Sequence, residues 1–263
     1  MAKVLVTGGL GFIGHGVVAA LESFGHEVII VDNQTNYGII NTAEIQSLIA
    51  ERRQQFRTKR IYSYDIRDQE GMSWIYQHYR PDIVVHLASF PRQKVVNANP
   101  QLGSQTMSEG LLNLLELGTR HEVRKFVYVS SSMVYGNFVA SGFAGIDEMH
   151  PCRPLGQYGI MKLAGEWLVE DYARRTNMSY TILRPSAVYG PRDVEDRVVS
   201  KFFLTAMNNG VIQVNGGKES LDFTYLDDAV DGIVSAAISH NSDNEIYNIT
   251  RRSEEHTSEL QSH

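Results

Sequence analysis

The chain has 263 residues, 43% of them hydrophobic, with 24 Lys and Arg against 30 Asp and Glu and a formal charge of −6. That is a globular composition with enough apolar mass for a sizeable core, and it contains no Lys/Arg block to attract a nucleic acid or an anionic membrane surface. The single cysteine, Cys152, excludes an internal disulfide and has no Cys/His partners at zinc spacing, so no metal site and a reducing, cytoplasmic setting are expected. No run of about 18 apolar residues occurs, so no membrane span is expected. The first apolar run, Val4-Leu5-Val6, is broken at once by Thr7-Gly8-Gly9 and is too short for an export leader.

Residues 3–7 form a β-branched run, glycines follow, and residues 12–24 carry Ile13, Val17, Val18 and Leu21 at helical spacing. Residues 27–31 are again β-rich and lead into Asp32, which completes a βαβ unit. Runs at 61–64, 83–87, 126–129 and 180–183 read as further strands. The strongest helical patterns between them are 108–120, with Leu111, Leu112, Leu114 and Leu115, and 158–176, with Ile160, Leu163, Ala164, Trp167 and Leu168. Strands alternating with helices predict an α/β fold with a doubly wound parallel sheet covered on both faces. Past Leu183 glycines and prolines cluster, and only short elements are expected, as in a smaller C-terminal lobe.

Thr7-Gly8-Gly9-Leu10-Gly11-Phe12-Ile13-Gly14 places glycines at 8, 11 and 14 between a strand and a helix. Gly8 suits a tight turn, Gly11 the close approach of backbone to a pyrophosphate, and Gly14 the packing of helix on strand, while the helix N-terminus offers N–H groups to the anion. Phe12 and Ile13 complete the turn. Asp32 ends the next strand, where a carboxylate accepts hydrogen bonds from an adenosine ribose and repels a 2′-phosphate, so NAD is expected rather than NADP. Asp65 and Ile66 follow another strand, where the carboxylate is suited to an adenine amino group and the Ile to the ring; an Asp here also serves as an ordinary turn or cap residue. Leu87, Ala88 and Ser89 end the strand of His86, and their small side chains let the chain pass close to the cofactor. His86 itself is expected to be a satisfied, partly buried histidine.

These features divide the chain into an NAD-binding Rossmann domain at 1–183, a partial substrate-binding lobe at 184–251 intertwined with it, and a non-native tail at 252–263. The tail, RSEEHTSELQSH, is polar and aperiodic and follows a β-rich run at 245–250. It resembles the translation of a sequencing adapter, so it is set aside, and the natural chain is expected to continue past about Arg251.

Tyr158 and Lys162 stand one turn apart on one helix face, so phenol and ammonium can meet. A phenol of ordinary pKa, about 10, is a poor base at neutral pH, but a nearby ammonium and an oxidised nicotinamide both favour the phenolate. Such a pair is often mere surface; it gains meaning from Ser130-Ser131-Ser132, which follow the strand at 126–129 and fall on the sheet edge that carries the glycine turn.

At these residues the sequence resembles the extended short-chain dehydrogenases/reductases, the NAD-dependent epimerase/dehydratase group acting mostly on nucleotide sugars. The resemblance covers about residues 3–250, through TGGLGFIG (7–14), DNQTN (32–36), DIRD (65–68), HLAS (86–89), SSSMVYG (130–136), YGIMK (158–162), RPSAVYGPR (184–192) and DFTYLDDA (222–229). It implies Ser131 as catalytic serine, Tyr158 as base, and Lys162 as its electrostatic partner and nicotinamide-ribose ligand. It also implies Asn33 and Asn36 on the adenosine half, Pro185 among the cofactor residues, and a homodimer through a four-helix bundle built on helices such as 108–120 and 158–176. Ordinary intramolecular burial explains the apolar residues of those helices equally well.

Family dehydratases carry an acid/base carboxylate pair where this chain has Ser132 and Met133, neither of which shuttles a proton as a carboxylic acid does. What remains is reversible hydride transfer at a carbinol carbon: an epimerase like UDP-glucose 4-epimerase, with a dehydrogenase/reductase, or a cofactor-binding protein without turnover, as alternatives. Three positions depart from the family pattern: Met107 and Ala187 stand where Asn is common, and Leu221 where an Arg commonly grips the nucleotide diphosphate. Arg192, Arg197, Lys201, Lys218 or Arg92 is left to meet that anion. Arg92, Ser132, Met133, Ala187 and Arg192 are therefore the expected substrate-side residues.

Overall fold

The computed structural model describes residues 1–35, 41–137, 146–213 and 222–250. Val4, Leu5 and Val6 become the centre of β1 (Lys3–Thr7), a strand in which only Lys3 reaches solvent. Two-sided burial recurs along β2 (Glu27–Val31), and β3 (Ile61–Tyr62), β4 (Ile83–His86), β5 (Lys125–Val129) and β6 (Ser179–Pro185) follow in the chain. A two-stranded ribbon of β7 (Ala187–Tyr189) and β8 (Phe223–Tyr225) precedes β9 (Glu245–Ile249). The main sheet has seven strands in the order β3-β2-β1-β4-β5-β6-β9, every neighbouring pair parallel. The order reverses between β1 and β4, which opens a crevice at their C-terminal ends.

Helices cover both faces. α1 (Gly14–Ser23) and α9 (Leu226–Ile238) pack Val17, Val18, Leu21, Val230 and Ile233 against Val4, Val6 and Val127. On the opposite face, α3 (Gln69–Tyr79), α6 (Gly110–Arg120) and α7 (Gln157–Arg175) meet Leu5, Ile29 and Phe126 with Ile75, Leu111, Leu114 and Val169. Each such aliphatic side chain, fully removed from water, stabilises the fold by about 1.5–3 kcal/mol before entropy is counted. The remaining helices are α2 (Thr42–Arg53), α4 (Gln93–Ala98), α5 (Pro100–Ser104) and α8 (Val198–Met207).

Several elements differ from the sequence expectation. The first helix starts at Gly14 and not at residue 12, because Phe12 and Ile13 are spent in the turn. The strand expected at 61–64 stops at Tyr62, since its partner β2 ends at Val31, opposite Tyr62. The helix expected from 108 is α6, from Gly110, entered through α5 and a π-helical turn, Gln105–Glu109, that buries Met107. Nor are the elements past Leu183 all short. Leu226, Ala229, Val230, Ile233, Val234 and Ala237 recur at helical spacing and make α9, which docks on the main sheet before β9 joins its edge. The 252–263 tail lies outside the described residues.

His86 is fully and not partly buried, its Nδ1 2.7 Å from the Thr7 hydroxyl. Burial first, and the Lys162 charge second, hold its pKa down at about 3. Between pH 6.5 and 3 the unfolded chain therefore binds a proton that the folded one refuses, so this site removes stability as pH falls. A drop from pH 7 to pH 5 is expected to cost about 2 kcal/mol through His86. Urea midpoints at the two pH values check this: the acid-induced loss should shrink by that amount in His86→Asn, and an unchanged loss would reject it.

Candidate active site

The C-terminal ends of β1, β2, β4, β5 and β6 surround a cavity of about 540 Å³, within the size range of small-molecule sites. Gly8 has φ +74°, and a Cβ there would stand 2.7 Å from the Ala88 nitrogen; a Cβ on Gly14 would stand 2.1 Å from the Gly8 carbonyl oxygen. The turn therefore packs against the chain after β4 and against itself too closely for a side chain at position 8 or 14. Gly8, Gly11, Phe12, Ile13 and Gly14 all line the cavity. Asp32 lines it too, its carboxylate accepting from the N–H of Leu10 at 2.9 Å and of Gln34 at 2.8 Å. Burial pushes the Asp32 carboxyl up, and those two bonds oppose the shift. Asn33 is a further wall residue, and Asn36 lies outside the described residues.

Leu87, Ala88 and Ser89 form the floor after β4, and Ile66 stands opposite. Asp65 does not line the cavity. Its carboxylate faces Arg67, accepting from Nε at 2.8 Å and Nη2 at 2.9 Å, and takes the Asn33 amide at 2.9 Å as well. The Arg67 hydrogen bonds hold this carboxyl down at about 2, so the adenine contact expected of Asp65 meets an acceptor already engaged by donors.

Ser131 leaves β5 in extended conformation, and its Oγ accepts from the Met133 N–H at 3.2 Å, capping the turn Ser132–Tyr135. Ser131, Ser132 and Met133 line the cavity with Tyr158, Lys162, Pro185 and Ala187. The N–H of Tyr158 donates to the Gln93 side chain at 3.0 Å, fixing the start of α7, while Met107 and Phe90 back the ring in an apolar cluster. Burial raises the Tyr158 phenol; the Ser131 hydroxyl and the Arg197 charge pull it back. Lys162, expected in that electrostatic role, has its Nζ 5.9 Å from the Tyr158 ring centroid and donates to the Val129 carbonyl at 2.8 Å. Its burial lowers the ammonium to about 7, with Glu166 opposing.

Of the cations set against the substrate anion, Arg92 and Arg197 line the cavity. Arg192 does not: its Nε lies 3.0 Å from His15 Nε2, outside the wall. Leu221 and Lys218 lie outside the described residues. Sequence reasoning missed Arg52, a cavity residue only 3% exposed, and Asp193 beside it. The signal for Arg52 was its spacing with Ile45 and Ile49, which puts all three on one face of α2. It also missed Glu166, four residues past Lys162, whose carboxylate takes Arg184 at 2.7 Å and Ser130 at 2.5 Å. Among the described residues no group of His, Cys, Asp and Glu forms a metal site, and no helix is long and apolar enough to cross a membrane.

A family model for the NAD dependent epimerase/dehydratase family matches residues 4–250. The chain belongs to that family. This family member is 31% identical over 264 residues to a putative UDP-glucose 4-epimerase of Methanocaldococcus jannaschii, covering 98% of this chain and 79% of the relative. Among solved structures, it is similar to UDP-glucose 4-epimerase of Thermotoga maritima with UDP-glucose (TM-score 0.80, 31% identity, 94% of this chain and 76% of that one). It is also similar to UDP-glucuronic acid 4-epimerase of Bacillus cereus in complex with UDP-glucuronic acid and NAD (TM-score 0.82, 28% identity, 95% of this chain and 78% of that one). The family is NAD dependent, and a glycine turn that lines the cavity together with Asp32, just before the N-terminus of α1, fits such a cofactor.

Proposed function

We propose that the chain epimerises a nucleotide sugar by reversible oxidation at a carbinol carbon, with NAD held in the crevice. The observation that carries this is the meeting, in one cavity, of the glycine turn and Asp32 with Ser131, Tyr158 and Lys162. Gly8, Gly11 and Gly14 with Phe12 and Ile13 would cradle the pyrophosphate, Asp32 and Asn33 the adenosine ribose, Ile66, Leu87, Ala88 and Ser89 the surrounding rings, and Pro185 the nicotinamide side. NAD supplies reversible acceptance and return of a hydride.

Tyr158 is the base that takes the hydroxyl proton and later returns it; Ser131 hydrogen-bonds the same oxygen, and Lys162 holds the ribose and adds positive charge. The 184–251 stretch is the substrate side in this reading, and Ala187 lines the cavity together with Ser132 and Met133. Met133 has no proton to give, which supports epimerisation over dehydration. Arg92 and Arg197 are the cations for the diphosphate, a role that suits a guanidinium fork. The relatives with UDP-sugars support a nucleotide sugar as substrate. A cytoplasmic homodimer belongs to the same reading, supported by the exposed apolar side chains Ile160 and Trp167 on α7.

The purified protein is expected to release NAD on denaturation, detected by mass spectrometry, and to sediment as a dimer. Incubated with UDP, GDP, dTDP and CDP sugars without added coenzyme, it should convert one of them to a stereoisomer. Product formed only in proportion to added NADH consumed would reject epimerisation in favour of a reductase.

A further inference from the structure

α2 carries an unusual anchor: of its twelve residues the one buried side chain is a guanidinium, Arg52. Burial lowers its pKa, and the Asp193 and Asp32 carboxylates oppose the shift. A buried charge is tolerated only where its donors are engaged, and here they join two separate segments. Nη1 donates to the Leu10 carbonyl, in the glycine turn, at 3.2 Å. Nη2 and Nε donate to the Arg192 carbonyl, in the chain beyond β7, at 2.6 Å and 3.2 Å. The Arg192 side chain then reaches back over the same turn. Its Nε–H donates to His15 Nε2 at 3.0 Å, and His15 Nδ1 lies 3.2 Å from the Gly11 carbonyl, an arrangement that makes His15 neutral with its proton on Nδ1. Arg192 holds φ +65°, a left-handed backbone uncommon for a residue with a Cβ, which its fastened carbonyl and side chain explain.

The chain after β7 is therefore tied to the glycine turn twice, once directly by Arg52 and once by Arg192 through His15. Leu10 and Gly11, which the ties reach, and Asp193, the neighbour of Arg192, are cavity wall. We propose that Arg52 and Arg192 form a clasp between the glycine turn and the substrate-side chain, and that this clasp sets how long the coenzyme stays bound. Both are positioning residues. An epimerase regenerates its coenzyme each cycle and gains from never releasing it, so the proposal rests on the function inferred above. A Lys at position 52 keeps the charge but is a point donor without the planar fork that spans two carbonyls.

The test measures NAD release from the loaded protein, chased with excess unlabelled NAD, beside thermal melting of the coenzyme-free protein. Arg52→Lys is expected to speed release at least tenfold, and Arg192→Gln, which keeps the carbonyl contact but loses His15, by a smaller factor. If Arg52→Lys does not fold, Arg192→Gln alone decides. Release at the wild-type rate in the folded variants, with only the melting temperature lowered, would make the network structural and overturn the proposal. Wild-type protein that binds no NAD would instead refute the function on which the proposal rests, so the two failures are told apart.

Discussion

Replacing Tyr158 by Phe is expected to lower kcat by about 100- to 10,000-fold while the coenzyme stays bound. The ring, its apolar backing by Met107 and Phe90 and the Gln93 bond to its backbone all survive the change, so only the phenolic oxygen is lost. In the proposed mechanism that oxygen, hydrogen-bonded to the Ser131 hydroxyl, takes a proton from the sugar hydroxyl and gives it back. Burial makes the phenol reluctant to ionise in the free protein, and the Ser131 hydroxyl and Arg197 guanidinium offset part of that. Burial lowers the Lys162 ammonium, and the Glu166 carboxylate opposes that shift. Turnover of the sugar found by the nucleotide-sugar screen, with NAD content measured on the same sample, checks the prediction. Activity equal to wild type would reject Tyr158 as the base.

Glu166→Leu is expected to destabilise the fold by about 3–5 kcal/mol, because it strands a buried guanidinium. Arg184 gives Nε and Nη2 to the two Glu166 oxygens at 3.0 Å and 2.7 Å, and both residues are almost wholly buried. Arg184 Nη1 also donates to the Tyr135 hydroxyl at 2.8 Å, and that hydroxyl to Asn248 at 2.8 Å. The pair therefore joins α7, the end of β6, the turn after β5 and β9. Replacing both partners, as Glu166→Leu with Arg184→Met, should recover most of the loss, since the unpaired charge and not the lost attraction carries the penalty. Urea unfolding of the single and double variants checks it; a double variant no more stable than the single one would reject the argument.

The α/β class and the positions of most strands were legible because buried parallel strands are apolar at nearly every position and bounded by glycine or polar residues. Ends were less legible: β3 is short because β2 runs out opposite Tyr62, a property of the pair and not of residues 61–64. That Tyr158 and Lys162 share the cavity with Ser131 was legible through local spacing, the first two being four residues apart on one helix. Arg192 was placed on the substrate side from its motif alone, whereas the fold turns its guanidinium to His15. Asp65 was legible as a residue after a strand, whereas its bonds to Arg67, two residues on, were not.

What the sequence determined by itself is whatever depends on near neighbours: the glycine spacing that forms the turn, the apolar periods, and the placing of Tyr158 and Lys162 one turn apart on one helix. What only the tertiary structure decided is which distant polar groups meet. The Arg52 guanidinium bonds the Arg192 backbone carbonyl 140 residues away, and Glu166 pairs with Arg184 18 residues on, a helix with a strand. Burial makes these groups bond to whatever polar atom the packed sheet brings within reach, and that choice leaves no period in the chain.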